Sequence, residues 1–327
     1  MSRLVRYCRG LPRFPNPPPV KPQLLALNLS TTSSTAENVT PADRLAGPPP
    51  IRVDLTESAG RGVFASRRIG AGELIHTAKP VLCHPSLSSI SAACYFCLKK
   101  VISEGQSPTF CSRKCEDSAK VFYDVEKKAD WSEFDAYCRS QGLKYPQMVK
   151  RLACQVISGA ASAELLDILQ PASVSAEMAL MMEEGYGSLR RALSAANIPD
   201  GKTTFLSREW YYGVLARIRI NAFRIELALS SYEDLLSSAA ACVEAEAAVG
   251  NAVYMLPSFY NHDCDPNAHI VWIENADAKL KALRDIEADE ELRICYIDAS
   301  LDHDARQTVL LQGFGFKCNC PRCLSGD

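Results

Sequence analysis

The stretch Asn261-His262-Asp263-Cys264-Asp265-Pro266-Asn267, taken with Cys318-Asn319-Cys320-Pro321-Arg322-Cys323 near the C-terminus, decides how this sequence is read. The second segment sets three thiols in a C-x-C-xx-C spacing, within reach of one ion, and a closed tetrahedral zinc site takes four protein ligands. Cys264 is the candidate fourth ligand, a coupling that spacing alone does not establish. A lone Asn-His pair is usually a turn. Here it precedes a candidate metal ligand by two positions, and it supplies an amide that both donates and accepts together with either an imidazole edge or the His262 backbone.

Working outward, the chain has 14 cysteines and no apolar core segment followed by a small-residue cleavage site, so metal binding is favoured over disulfides. Cys94 with Cys97 and Cys111 with Cys115 make a second local set. Cys8, Cys83, Cys138, Cys154, Cys242 and Cys295 are scattered and read as inert buried thiols, with Cys138 a spare near the second set. At 327 residues and 47% hydrophobic, the chain can bury a core in two or three lobes. No apolar run approaches the roughly 20 residues that cross a bilayer, so no membrane partner is expected. Residues 1–36 hold Arg3, Arg6, Arg9, Arg13 and Lys21 without an acid, so from a net charge of -2 the other residues carry -7. That acidic body predicts no direct nucleic-acid binding and is compatible with a basic protein partner.

Residues 1–49, with PNPPP and GPPP, have too little apolar periodicity to fold alone. They read either as a disordered extension or as a basic, organelle-type presequence. From Ile51, short β-like runs separated by glycine turns follow: IRVDL, GRGVFAS and RRIGAGELIHTAKPVL. Residues 94–115 form a cysteine-bearing loop. From Ser118 to about Arg217 the pattern is helical, with apolar spacings in AELLDILQ, SAEMALMMEE and EWYYGVLARIRI. A further helix is read at SYEDLLSSAAACVEAEAA, then β-like AHIVWIE, KLKALRDI and EELRICYI, and a helix at LDHDARQTVLLQGF. KKVISEGQSPTF and EKKADWSEFD read as solvated surface.

The Asn261–Asn267 stretch resembles the NHxCxPN signature of SET-domain lysine methyltransferases. The resemblance runs through most of residues 51–323 and includes Gly60-Arg61-Gly62-Val63-Phe64, Asn221-Ala222-Phe223, Asp289-Glu290-Glu291-Leu292 through Tyr296, and the CxCxxC end. The cysteine loop resembles the MYND module that splits the SET domain in the SET and MYND family, and plant trithorax-related SET proteins are a closer likeness. Two features of a full MYND pattern are missing, the inner CxxC and the closing HxxxC. The interleaved family pattern then assigns Cys94, Cys97, Cys111 and Cys115 to one surviving zinc site. The implied fold is α+β: a SET-domain β fold split by a shortened MYND-like zinc loop and a helical insertion, closed by a post-SET zinc knuckle. Its expected parts are 50–93 (SET N-terminal part), 94–117 (zinc loop), 118–217 (helical insertion), 218–300 (SET core) and 301–327 (post-SET).

The resemblance further implies a protein-lysine N-methyltransferase using S-adenosyl-L-methionine and structural zinc, with a histone tail as protein substrate by analogy. Ala59, Gly60 and Arg61 would wrap the cofactor's methionine portion, Asn261 and His262 would hydrogen-bond it, and Phe316 would stack on its adenine. Tyr296 matches the catalytic tyrosine. A phenol of pKa about 10 is a poor base at neutral pH, so its role is to orient the amine. Phe223 and Phe314, with Ser258 at the edge, would line the lysine channel, an apolar aromatic tunnel that suits a four-carbon stem and a cationic product. The SET and MYND family usually has tyrosine where this chain has Phe314, so one hydroxyl is missing. Two other readings stand beside this one: a catalytically silent SET and zinc scaffold, or an organellar methyltransferase acting on a non-histone protein. The expected location is the nucleus, with a mitochondrion or plastid as the alternative suggested by the basic leader.

Overall fold

A computed structural model describes residues 47–101, 108–228 and 248–327. Apart from its last three residues, the leader of residues 1–49 lies outside the described residues. So do residues 102–107 of the KKVISEGQSPTF block and, except for Ala248, the helix expected at SYEDLLSSAAACVEAEAA.

The β-like runs become short strands: β1 (Ile51–Leu55), β2 (Arg61–Ala65), β3 (Leu74–Ala78), β4 (Leu82–Pro85), β5 (Ala222–Ile225), β6 (Gly250–Val253), β7 (Asn261–His262), β8 (Ala268–Val271), β9 (Ala278–Ala282) and β10 (Glu291–Ile294). They make three small sheets, in the orders β1-β2-β10-β7, β3-β9-β8 and β4-β6-β5. One pairing matters most for the site. β7 runs parallel to β10, with Asn261 opposite Arg293 and His262 opposite Ile294, whereas the other strand pairs are antiparallel. Parallel neighbours need a long crossover. The chain supplies one through β8 and β9, so two sequence-distant segments meet side by side.

Between β4 and β5 lie five helices: α1 (Arg113–Glu126), α2 (Ser132–Ser140), α3 (Tyr145–Ser158), α4 (Ala176–Ala195) and α5 (Arg208–Asn221). After β10 come α6 (His303–Phe314) and α7 (Pro321–Leu324). Starts are signalled locally. Ser112, Ser175, Ser207 and Asp302 cap α1, α4, α5 and α6, each side chain accepting a backbone N–H of the first turn, with an acidic residue following. Helices and sheets share one apolar core, in which Val63, Ile75, Leu98, Phe134, Leu152, Tyr211, Tyr254 and Tyr260 are fully buried. Arg151 of α3 is also fully buried. Its guanidinium donates to the carbonyls of Cys83 and Tyr95 and lies 4.1 Å from the Tyr95 ring centre, so it ties the helical insertion to β4 and the cysteine loop.

Two expectations are corrected. Residues 163–170 (AELLDILQ) have helical spacing but run through turns. Leu166 and Leu169 are buried there without a helix, because the carbonyls of Ala163, Ile168 and Gln170 are taken by the side chains of Trp210, Arg61 and Asn221. Long-range partners have outcompeted local propensity. Likewise EKKADWSEFD is not solvated throughout: Glu126 is buried against Lys150 and Tyr95, and Trp131 and Phe134 sit in the core. Lys150 of α3 gathers the block, lying over the Trp131 and Phe134 rings and pairing with Glu126 and Asp135.

Candidate active site and zinc centres

The eight grouped cysteines come together as two sets of four, Cys94, Cys97, Cys111, Cys115 and Cys264, Cys318, Cys320, Cys323, with the sulfurs of each set all within 4.8 Å of one another. Individual separations are 3.6 Å for Cys97–Cys111, 3.5 Å for Cys111–Cys115, 3.5 Å for Cys264–Cys323 and 3.9 Å for Cys264–Cys318. A disulfide would need about 2.05 Å. A tetrahedron with zinc–sulfur bonds of about 2.3 Å has edges of about 3.8 Å, so both donor sets fit one zinc each. Cys138 is buried in the core and belongs to neither set. The first set is seated on the β core through Ala276, whose backbone N–H donates to the Cys97 carbonyl at 2.8 Å. The second is held by Arg306 of α6, fully buried, which reaches the Cys323 sulfur at 3.9 Å and donates to the carbonyls of Leu301 and Asp327. Four thiolates around a divalent ion carry a net negative charge, and this guanidinium is placed to offset it.

Tyr296 lies two residues beyond β10 and is held at both ends. Its backbone N–H donates to His262 Nδ1 at 3.1 Å, and its hydroxyl donates to the Tyr260 carbonyl at 2.5 Å. Because Nδ1 accepts, the His262 ring proton sits on Nε2, which faces the Cys264 sulfur at 3.3 Å. One imidazole therefore links the second cysteine set to the backbone of Tyr296. Burial holds that imidazole down to about 4, so it is neutral at physiological pH. Burial also pushes the Tyr296 phenol well above its ordinary value, with the Glu291 carboxylate adding to the rise. Phe314 lies 5.1 Å from the Tyr296 ring centre, and Phe316 stands 6.4 Å from Tyr296 and 6.0 Å from His262. Phe223 and Ser258 both contact Tyr254: the Phe223 ring is 5.6 Å away and the Ser258 hydroxyl donates to the Tyr254 carbonyl at 2.6 Å.

Asn261 uses its amide to join three segments, donating to the Arg61 carbonyl at 3.1 Å and to Glu291 Oε1 at 2.7 Å. Gly62 makes that approach possible: a Cβ there would stand 2.7 Å from Glu291 Oε1 and 3.2 Å from Asn261 Nδ2. The Arg61 side chain points away from this junction, 4.6 Å over the Phe259 ring and donating to the Ile168 carbonyl. Ala59 sits in a turn closed by Thr56, whose hydroxyl accepts the Ala59 N–H at 2.9 Å. Gly60 has φ +77, and a Cβ on it would meet nothing within 4 Å. The turn thus borders open space and joins the half-buried Asn261 through the Arg61 carbonyl, while the half-buried Phe316 ring stands 6.0 Å from the adjacent His262. Such a cradle fits an elongated cofactor with a planar base at one end.

A SET domain family model matches residues 60–297. The chain belongs to the SET-domain family. It is 58% identical, over all of both chains, to the Arabidopsis thaliana protein named Histone-lysine N-methyltransferase ATXR4. It is 24% identical to a SET and MYND domain-containing protein of Dictyostelium discoideum over 77% of each chain. It is 25% identical to human Histone-lysine N-methyltransferase SMYD3 over 85% of this chain and 63% of that one. The α+β SET fold and the likeness to plant and SET and MYND relatives agree with the sequence reading.

The sequence assigns no role to some site-building residues, among them the last residue of the Asn261–Asn267 signature. Asn267 is buried and makes three bonds, donating to Glu290 Oε1 at 3.0 Å and the Glu291 carbonyl at 2.8 Å while accepting the Arg293 N–H at 2.8 Å. It closes the stretch onto β10. Arg306, Tyr260 and His76 were equally silent, since each acts only through partners far away in the chain.

Proposed function

We propose that this chain is an S-adenosylmethionine-dependent protein-lysine N-methyltransferase acting on histone tails in the nucleus. One observation carries the reading: the Tyr296 hydroxyl, the Phe314 ring, the Phe316 ring and the Asn261-His262 pair converge at the edge of the Cys264 zinc knuckle. The full-length relative bearing the histone-lysine methyltransferase name, and an acidic body suited to a basic tail, support the substrate class. In this reading Ala59, Gly60 and Arg61 contribute backbone to the methionine end of the cofactor cradle. Asn261 binds it through its amide oxygen and His262 through its backbone, because the Asn261 N–H groups and both His262 ring nitrogens are engaged within the chain, and Phe316 forms its adenine wall. Phe314, Phe223 and Ser258 border the lysine channel. The two cysteine sets hold structural zinc.

When bound, the cofactor would supply an electrophilic sulfonium methyl for transfer from sulfur to the lysine nitrogen. The chain's own task is positioning and exclusion of water. Tyr296 keeps its proton, since burial raises its pKa, so it is not the base. The amine arrives neutral, its proton lost to solvent, and is aligned between the Tyr296 hydroxyl and the Tyr260 carbonyl. Those same oxygens favour the positive charge that develops on the nitrogen. Phe314 packs beside them and shields the amine from water.

The test is transfer of labelled methyl from S-adenosylmethionine to a peptide array, comparing wild type with Tyr296→Phe. Transfer to lysine-containing histone peptides, reduced about 10²-fold or more in the variant, is expected. A zinc-loaded protein that binds cofactor but labels no lysine peptide would overturn the reading in favour of a silent scaffold.

A further inference from the structure

Tyr260 immediately precedes the Asn261–Asn267 stretch, and its carbonyl takes the Tyr296 hydroxyl proton. Its side chain points the other way, into the core, where it is completely buried and its hydroxyl lies 3.0 Å from Nε2 of His76, itself only 2% exposed. The two rings tilt at 38° with centres 5.9 Å apart. The direction of this bond follows from the chemistry of each partner. Burial drives the Tyr260 phenol well above its ordinary pKa, so it keeps its proton. Burial lowers His76 to about 4, against a backbone hydrogen bond at Thr77 that favours a ring proton. A neutral imidazole has one acceptor nitrogen, and a buried phenol without an acceptor costs about 1–3 kcal/mol. The phenol therefore donates to Nε2.

His76 lies in the middle of β3, just past a register shift after Leu74, and pairs with Leu280 of β9. Its strand belongs to the β3-β9-β8 sheet, not to the sheet that holds β7 and β10. Residue 260 caps the C-terminal end of a short 3₁₀ helix (Pro257–Phe259), its N–H donating to the Pro257 carbonyl at 3.3 Å, and leads into β7. A side-chain anchor from a second sheet further restricts where the 260 carbonyl can sit.

We propose that His76 is a positioning residue for methyl transfer: by holding the Tyr260 side chain it sets the carbonyl that aims the Tyr296 hydroxyl. This rests on the lysine-methyltransferase reading above for its catalytic consequence, and on geometry alone for its structural one. His76 touches neither the reacting atoms nor the cofactor cradle.

The experiment uses the full chain, zinc-loaded, with ¹³C at the tyrosine Cζ, and compares wild type, His76→Leu, Tyr260→Phe and the double variant. Tyr296→Phe assigns the Tyr296 signal by its disappearance. Each single variant should move the Tyr296 Cζ resonance and lower kcat about 10-fold to 100-fold, the scale expected for a misplacement of about 1 Å. KM for S-adenosylmethionine should stay within about 2-fold in the same variants, because the cradle is untouched. The double variant should match either single one, since both remove the same bond. Tyr260→Phe also keeps the core filled, so it reports on the bond even where His76→Leu folds poorly. Folded variants with an unmoved Tyr296 resonance and wild-type kcat would overturn the proposal, as would additive losses. If the wild type transfers no methyl yet both single variants shift the Tyr296 resonance, the proposed function fails while the positioning role stands.

Discussion

Changing Cys264 to Ser tests the coupling between the zinc knuckle and the cofactor cradle. Cys264 is 2% exposed, its sulfur is 3.5 Å from Cys323 and 3.9 Å from Cys318, and it accepts from His262 Nε2 at 3.3 Å. A serine oxygen is a weak, protonated donor at neutral pH and sits closer to its own Cβ, so the fourth vertex of the tetrahedron is lost. Structural zinc binding is worth about 10–16 kcal/mol over four ligands, so losing one removes about 3 kcal/mol. That corresponds to about 100-fold in zinc affinity. In a domain of this size, the same loss lowers Tm by about 6–12 °C. Phe316 lies two positions before Cys318 and 6.0 Å from the His262 ring, so a loosened knuckle also moves the expected adenine wall. We predict at least about a 10-fold weaker cofactor affinity, since tenfold needs only about 1.4 kcal/mol. Zinc per chain by mass spectrometry should fall from two to one after mild chelation, and calorimetry with S-adenosylmethionine should show the weaker binding. Cys138→Ser is the control: Cys138 is equally buried but outside both sets, so it should cost stability and leave zinc content and cofactor affinity unchanged. A Cys264→Ser protein with two ions and wild-type cofactor affinity would refute the coupling.

Two further outcomes are expected. With Phe314 at 5.1 Å from Tyr296 and no hydroxyl on it, the amine has room to turn, so the wild type should form di- or trimethyl-lysine and Phe314→Tyr should shift the product toward monomethyl; mass spectrometry showing only monomethyl-lysine in both would reject this. The His76 pKa is lowered on folding, so the unfolded chain binds the extra proton first and stability falls as pH drops from about 6.5, the unfolded value, toward about 4. Complete loss of that contribution is about 3 kcal/mol, and denaturant titrations of wild type and His76→Gln should converge toward pH 4; parallel pH dependences would contradict it.

Much of the site was legible because its residues announce themselves over short spans. The C-x-C-xx-C spacing and the paired CxxC and CxxxC thiols state a metal geometry locally, since the ligands of one ion must lie within a few ångströms and adjacent residues satisfy that cheaply. The alternation of strands and helices followed from β-like runs between glycine turns and from apolar spacing, while helix ends such as Arg113 and Asn221 did not. What the sequence by itself determined, then, is the family, the two thiol sets and the alternation of β and helical parts. Only the tertiary structure decided that Cys264 joins the terminal triplet, that Asn261 bridges Arg61 and Glu291, and that Phe314 faces Tyr296 while Phe223 gathers at Tyr254. It also decided that residues 163–170 form turns, and that His76 reaches Tyr260 across 184 positions. The parallel pairing of β7 with β10 brings Asn261 to Glu291 and His262 to the Tyr296 backbone. Its partners are brought together by a crossover whose outcome depends on the packing of the whole core, and no local pattern encodes that.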